Sequence, residues 1–179
     1  MDKNIRNAGI FGIINLIFVI PIFLIEIARN IFPVTTKLIV ISLIINLIYV
    51  ISYILFIRGF VIIGKKLKIS SLVKSSYAFI IISVPLIIFQ ILNLSVLKIF
   101  SLVSSIIMLI VVGIIGIFFG ISLLKLKKKF GKIATATGIL NIIAGAGLAS
   151  VVLIVIPILI LLPSYILEIM LLFRASRKL

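Results

Sequence analysis

Charged residues divide this 179-residue chain into apolar stretches that match the thickness of a lipid bilayer. A hydrocarbon core about 30 Å thick needs roughly 20 apolar residues in a helix. Nineteen uncharged residues separate Arg6 from Glu26, 20 separate Lys37 from Arg58, 23 separate Lys74 from Lys98, and 26 separate Lys98 from Lys125. The last stretch, Ile133 to Phe173, has 41 residues and one charge, Glu168. A straight helix of that length would be about 60 Å long, twice the core, so the segment must turn. Pro157 suits the first turn of a new helix, where a missing N–H costs nothing. The expected architecture is an all-α, polytopic membrane bundle in one domain, residues 1–179, with no soluble part. Its six spans are about 8–28, 38–57, 75–97, 101–124, 133–154 and 157–174. Transmembrane strands would alternate apolar and polar residues; these segments are apolar all round.

The cations give the threading an independent check. Lys and Arg near span ends are retained on the cytoplasmic side. Six spans put 15 of the 18 cations on the side of the two termini and of the loops around Lys65–Lys74 and Lys125–Lys132. Only Arg29, Lys37 and Lys98 lie opposite, whereas five spans would weaken the split to 12 against 6. Both termini are therefore expected in the cytoplasm of a multi-pass plasma-membrane protein. The first span has no A-x-A-like site after it and is read as uncleaved.

The net charge of +15 is thereby a sign of orientation. Lys65, Lys66, Lys68, Lys125, Lys127, Lys128 and Lys129 are expected to lie at anionic headgroups. Only Phe130 accompanies them as a stacking aromatic, which argues against nucleic acid. Gly59, Lys66 and Lys68 recur 61 positions later as Gly120, Lys127 and Lys129, a weak echo of one helix pair in another.

Little catalytic chemistry is left. The chain has no His and no Cys, so His-assisted nucleophiles, thiol chemistry and the usual zinc or haem ligands are missing. The three acids are Asp2 in the tail, Glu26 near one end of the first span and Glu168 in the sixth. The two glutamates fall on opposite sides of the bilayer, so they cannot act as a pair. The expectation is a non-enzyme without cofactor or metal. Glu26 has Arg29 as a helical neighbour. Glu168 either reaches the cytoplasmic interface, pairs with a lysine, or titrates in a proton-coupled step.

Two kinds of helix face stand out. Small residues permit close approach of helices in lipid. Gly113, Gly116 and Gly120 line one face of the fourth span; Ala134, Gly138, Asn141, Gly145 and Ala149 line one face of the fifth. They are expected to pack inside the bundle, with a homodimer face as the alternative. Ser42, Asn46, Tyr49 and Tyr53 form a polar stripe on the second span, and Asn15, Gln90, Asn93 and Asn141 add amides elsewhere. This stripe and Glu168 are either interhelical glue or an intramembrane polar or ion path. Pro21, Pro85 and Pro163 are expected to kink their helices.

The segment KKFGKIATATGILNIIAGAGLASVVLIVIPILILLPSYILEIMLLF, with Phe130, Thr137, Gly138, Ile139, Leu140 and Gly145, resembles the C-terminal half of an uncharacterised archaeal multi-pass membrane family, a domain of unknown function. RGFVIIGKKLKISSLVKSSYAFII is similar to its middle region. Where that family has a glycine at the last hairpin turn, Pro157 stands nearby. The resemblance implies a multi-pass helical fold and supplies no catalytic residue or substrate. The functional expectation is an accessory or structural subunit of a larger membrane complex, with other membrane subunits or a second copy as partners. The alternative is a small transporter or channel, proton-coupled through Glu168.

Overall fold

A computed structural model describes residues 1–31, 35–92, 98–150 and 155–179. Among these residues there is no strand and there are seven helices: α1 (Lys3–Ile31), α2 (Thr36–Lys66), α3 (Ser70–Leu92), α4 (Lys98–Leu124), α5 (Lys127–Phe130), α6 (Lys132–Ser150) and α7 (Val155–Lys178). The chain is an all-α bundle, and five helices (α1, α2, α4, α6 and α7) are long and apolar enough to cross a membrane. The expected third span, 75–97, falls on α3 as far as Leu92; the side chains of 86–92 and all of 93–97 lie outside the described residues. The turn expected near 154–157 falls at a point where residues 151–154 lie outside the described residues; Pro157 stands in the first turn of α7. Helices α1, α3 and α7 run through Pro21, Pro85 and Pro163 without ending.

The helix starts follow from capping chemistry. Free N–H groups at a helix start need acceptors. Asp2 Oδ1 accepts from Asn4 N–H at 2.8 Å and Ile5 N–H at 3.2 Å. Thr35 Oγ1 accepts from Leu38 N–H at 3.3 Å at the start of α2.

One helix runs well past its expected span. Charges were taken to end the second span at 57, yet α2 continues to Lys66 and leaves a turn of three residues before α3. Arg58, Lys65 and Lys66 point outward, while Phe60, Val61, Ile63 and Gly64 keep facing the core. Long cationic side chains reach the interface without interrupting a helix. At 31 residues α2 is about 46 Å long, so its basic end extends beyond a bilayer core. The second basic loop likewise contains a single helical turn, α5. Its Phe130 is fully buried, so the loop is anchored while Lys127, Lys128 and Lys129 stay exposed. Gly131 then turns the chain into α6 at φ 68°, ψ −141°, a conformation open essentially to glycine alone. Across the 61-residue echo Lys66 closes α2, whereas Lys127 begins α5 after α4 has ended at Leu124, so the two halves differ at the helix end itself.

Neighbouring helices form a closed ring in the order α1, α2, α3, α4, α6, α7 and back to α1. The buried core occupies the basic half of this ring: Ile5, Phe56, Phe60, Leu72, Phe119, Phe130 and Leu172 belong to it. Edge-on aromatic contacts link α2, α4 and α3, with Phe60–Phe119 centroids at 5.2 Å and Phe79–Phe119 at 5.3 Å. The outer surface carries large apolar side chains such as Ile81, Leu159 and Phe23, each more than 60% exposed. In water so much apolar surface would drive aggregation; toward lipid it is the expected exterior.

The glycine faces do meet inside the chain. A Cβ on Gly113 would sit 2.6 Å from Ala149 N and Gly145 O, and one on Gly120 would sit 2.6 Å from Gly138 O. The backbones of α4 and α6 are therefore in direct contact through Gly113, Gly116, Gly120, Gly138 and Gly145, all buried. This contact occupies the face considered for a homodimer. Gly12 against Phe56 and Gly59 against Ala8 give similar approaches between α1 and α2.

The termini and both basic turns gather at one end. Asp2 N–H donates to Ser176 O at 2.8 Å, and Lys66 Nζ pairs with Asp2 Oδ2 at 2.6 Å. Lys178 Nζ donates to Lys129 O at 3.4 Å, and Lys125 Nζ to Ser71 Oγ at 2.9 Å. The two termini thus lie side by side at one end of the bundle.

Candidate functional site

The interior polar groups of α1, α2, α6 and α7 come together at one depth. Each helix has a cation near the basic end from which depth is counted. Asn15 is nine residues from Arg6, Tyr49 nine from Arg58, Asn141 nine from Lys132 and Tyr165 nine from Arg174. At 1.5 Å per residue that level is about 13 Å inward, close to the middle of a 30 Å core. Glu168 and Ser52, six residues from their cations, lie about 9 Å inward.

One part joins α6 to α7. Asn141 Nδ2 donates to Glu168 Oε1 at 2.7 Å and to Ser164 Oγ at 2.9 Å, and approaches Thr137 O at 3.0 Å. Ser164 and Glu168 are one helical turn apart on α7, so a single amide bridges both. Glu168 is 6% exposed. The expectation that it would reach the interface or pair with a lysine is corrected: it faces the bundle interior with an asparagine amide as donor. A neutral donor there spares the desolvation of a second charge.

The other part joins α1, α2 and α7. Tyr165 O–H donates to Asn15 Oδ1 at 2.6 Å. Asn15 Nδ2 donates to Tyr49 O at 2.7 Å and to Ser52 Oγ at 3.1 Å, and Ser52 Oγ donates to Tyr49 O at 2.8 Å. Asn15 has no exposed surface, and its amide bonds to both partner helices. The Tyr165 ring leans on Phe56, with centroids 4.8 Å apart. Tyr165 and Glu168 are i, i+3 neighbours on α7 and connect the two parts. Tyr53 and Tyr165 each lie near both Tyr49 and Glu168.

The expected polar stripe is divided. Tyr49 enters the cluster through its backbone carbonyl, and Tyr53 lies beside it, near Glu168. Asn46 donates to Ser42 O at 2.9 Å within its own helix, nearer the opposite end. Ser42 and Asn46 thus serve α2 locally. Glu26, Arg29, Gln90 and Asn93 fall on side chains outside the described residues. Sequence reasoning missed Ser52, Ser164 and Tyr165. The signal for two of them was present: Ser164, Tyr165 and Glu168 place three polar groups within five positions of an otherwise apolar span.

Compared with protein-family models, with curated proteins and with solved structures, the chain matches none.

Proposed function

We propose that this protein is a non-enzymatic, multi-pass component of the cell membrane, with both termini in the cytoplasm, that works as an accessory or structural subunit of a larger membrane assembly. The observation that carries the reading is how the interior polar groups are used. Asn15 bonds to Ser52 and Tyr165, and Asn141 to Ser164 and Glu168, two groups that between them tie together four helices within the apolar interior. Such bonds hold helices in register at about 0.6–2 kcal/mol each. Among the described residues the chain outside the bundle is a few short turns, whereas binding and catalytic residues usually sit on loops. The gathering of termini and basic turns at one end supports the orientation through the positive-inside rule. Crosslinking in native membranes followed by purification in mild detergent tests the reading. Other chains are expected to co-purify in fixed ratio; a lone monomer at native abundance would refute it.

A second reading, a small proton-coupled carrier, is favoured by one observation. Glu168 is an ionisable side chain enclosed within membrane-spanning helices, a setting common in proton relays. Its test is proton-dependent flux in liposomes, with Glu168→Gln abolishing the coupling.

A further inference from the structure

A groove opens between α3 and α4 at the basic end. Its mouth and its floor differ chemically. At the mouth stand Lys74 and Ser71 on α3 and Lys125 at the end of α4. Lys125 Nζ reaches across to Ser71 Oγ at 2.9 Å, which holds that ammonium over the opening with donors to spare. Below lie Ile115, Phe118 and Ile121, with Phe118 61% exposed. The serines along the walls do not make this floor polar. Ser75 Oγ donates to Ser71 O at 2.9 Å and Ser122 Oγ to Phe118 O at 2.8 Å, each within its own helix. No acid lines the groove, and Asp2, at the same end, is paired with Lys66.

The dimensions select a ligand class. The groove holds about 440 Å³. From Lys125 to Ile115 it descends ten residues of α4, about 15 Å, which is one leaflet of a 30 Å core. A soluble anion would use only the mouth, and a neutral lipid would leave the two lysines at the mouth without a counter-charge. We infer that this groove binds one anionic phospholipid, its phosphate between Lys74 and Lys125 and one acyl chain along Ile115, Phe118 and Ile121. The inference rests on the membrane-embedded reading and is narrower than general attraction of basic loops to a charged surface: it names one site, one stoichiometry and two lysines.

Native mass spectrometry of the purified full chain in mild detergent tests it, with phosphatidylglycerol, phosphatidylcholine and soluble glycerol phosphate as probes. One tightly held phosphatidylglycerol per chain is expected, with phosphatidylcholine far weaker. The pair Lys74→Gln and Lys125→Gln is expected to weaken it about thirtyfold, from roughly 1 kcal/mol per lysine. The control pair Lys127→Gln and Lys128→Gln removes the same charge outside the groove and is expected to leave binding within about threefold. Ala78→Phe fills the groove, keeps both lysines, and is expected to lower affinity at least tenfold. Equal loss in the control pair would overturn the inference in favour of mere charge. Unchanged binding in Ala78→Phe, or displacement by glycerol phosphate at equal concentration, would overturn it in favour of a headgroup-only site. Phosphatidylcholine binding as tight as phosphatidylglycerol would also overturn it. Failure of the membrane reading looks different: the wild-type chain would remain in the aqueous supernatant after lysis without detergent.

Discussion

Three glycines on one face of α4 should respond differently to the same methyl group. A Cβ on Gly113 would meet backbone atoms of α6 at 2.6 Å, where ordinary contact begins near 3.4 Å. The helices would have to part by about 0.8 Å, because the obstacle is backbone and cannot rotate away. A Cβ on Gly116 finds its nearest neighbour, Gly145 Cα, at 3.4 Å and fits without movement. Alanine favours a helix over glycine by about 1 kcal/mol at either position. That term cancels when the two variants are compared. The difference between them is then the overpacking cost alone, about 1–3 kcal/mol. Gly116→Ala should be neutral or up to about 1 kcal/mol more stable than wild type. Gly113→Ala should be destabilised by up to about 2 kcal/mol, and Gly120→Ala should resemble it. A double variant of Gly113→Ala and Gly145→Ala should cost less than the sum of its parts, since one separation relieves both clashes. Reversible unfolding in mixed micelles, followed by far-ultraviolet circular dichroism, measures these differences. If Gly116→Ala were as damaging as Gly113→Ala, the helix contact described here would be in the wrong register.

Asn15→Leu should destabilise the bundle by about 1–3 kcal/mol in the same unfolding assay, because Tyr165 O–H is left buried without its acceptor. Glu168→Gln keeps an oxygen for Asn141 to donate to and should change stability little, whereas Glu168→Leu should cost about 1–2 kcal/mol; equal stabilities for the two would rule out the Asn141 bond. The hydrogen bond from Lys66, aided by backbone donors and the Lys66 charge, holds the Asp2 carboxyl below its usual range. A depressed folded-state value means the stabilisation is complete above the unfolded value near 3.8 and disappears as pH falls through the lower folded value. Asp2→Asn should therefore flatten stability against pH below about 4, by under roughly 1 kcal/mol for so peripheral a pair; an unchanged acid limb would refute it.

The membrane character and the helical fold were legible in the spacing of charges alone. A bilayer imposes one length on every crossing, and backbone polar groups in lipid must bond within their own helix. The α4–α6 contact was legible for a similar reason: small residues at helical spacing have few uses in lipid other than close approach. The true end of α2 was not legible, because Arg58 and Lys65 interrupt hydropathy without interrupting the helix.

The polar cluster was only half legible. That Asn15, Tyr49, Asn141 and Glu168 are polar within apolar spans could be read directly, and the nine-residue spacing that the first three keep from basic residues could have been counted. Which of them touch depends on the rotation of each helix about its axis, and uniformly apolar spans leave that rotation almost unspecified. Sequence alone therefore determined the solvent, the secondary structure and the sidedness of the charges, since each depends on one span at a time. Tertiary structure decided that Glu168 faces an asparagine amide instead of the interface, that Tyr165 joins Asn15, and that two lysines flank an apolar groove, because each needs two helices set against each other.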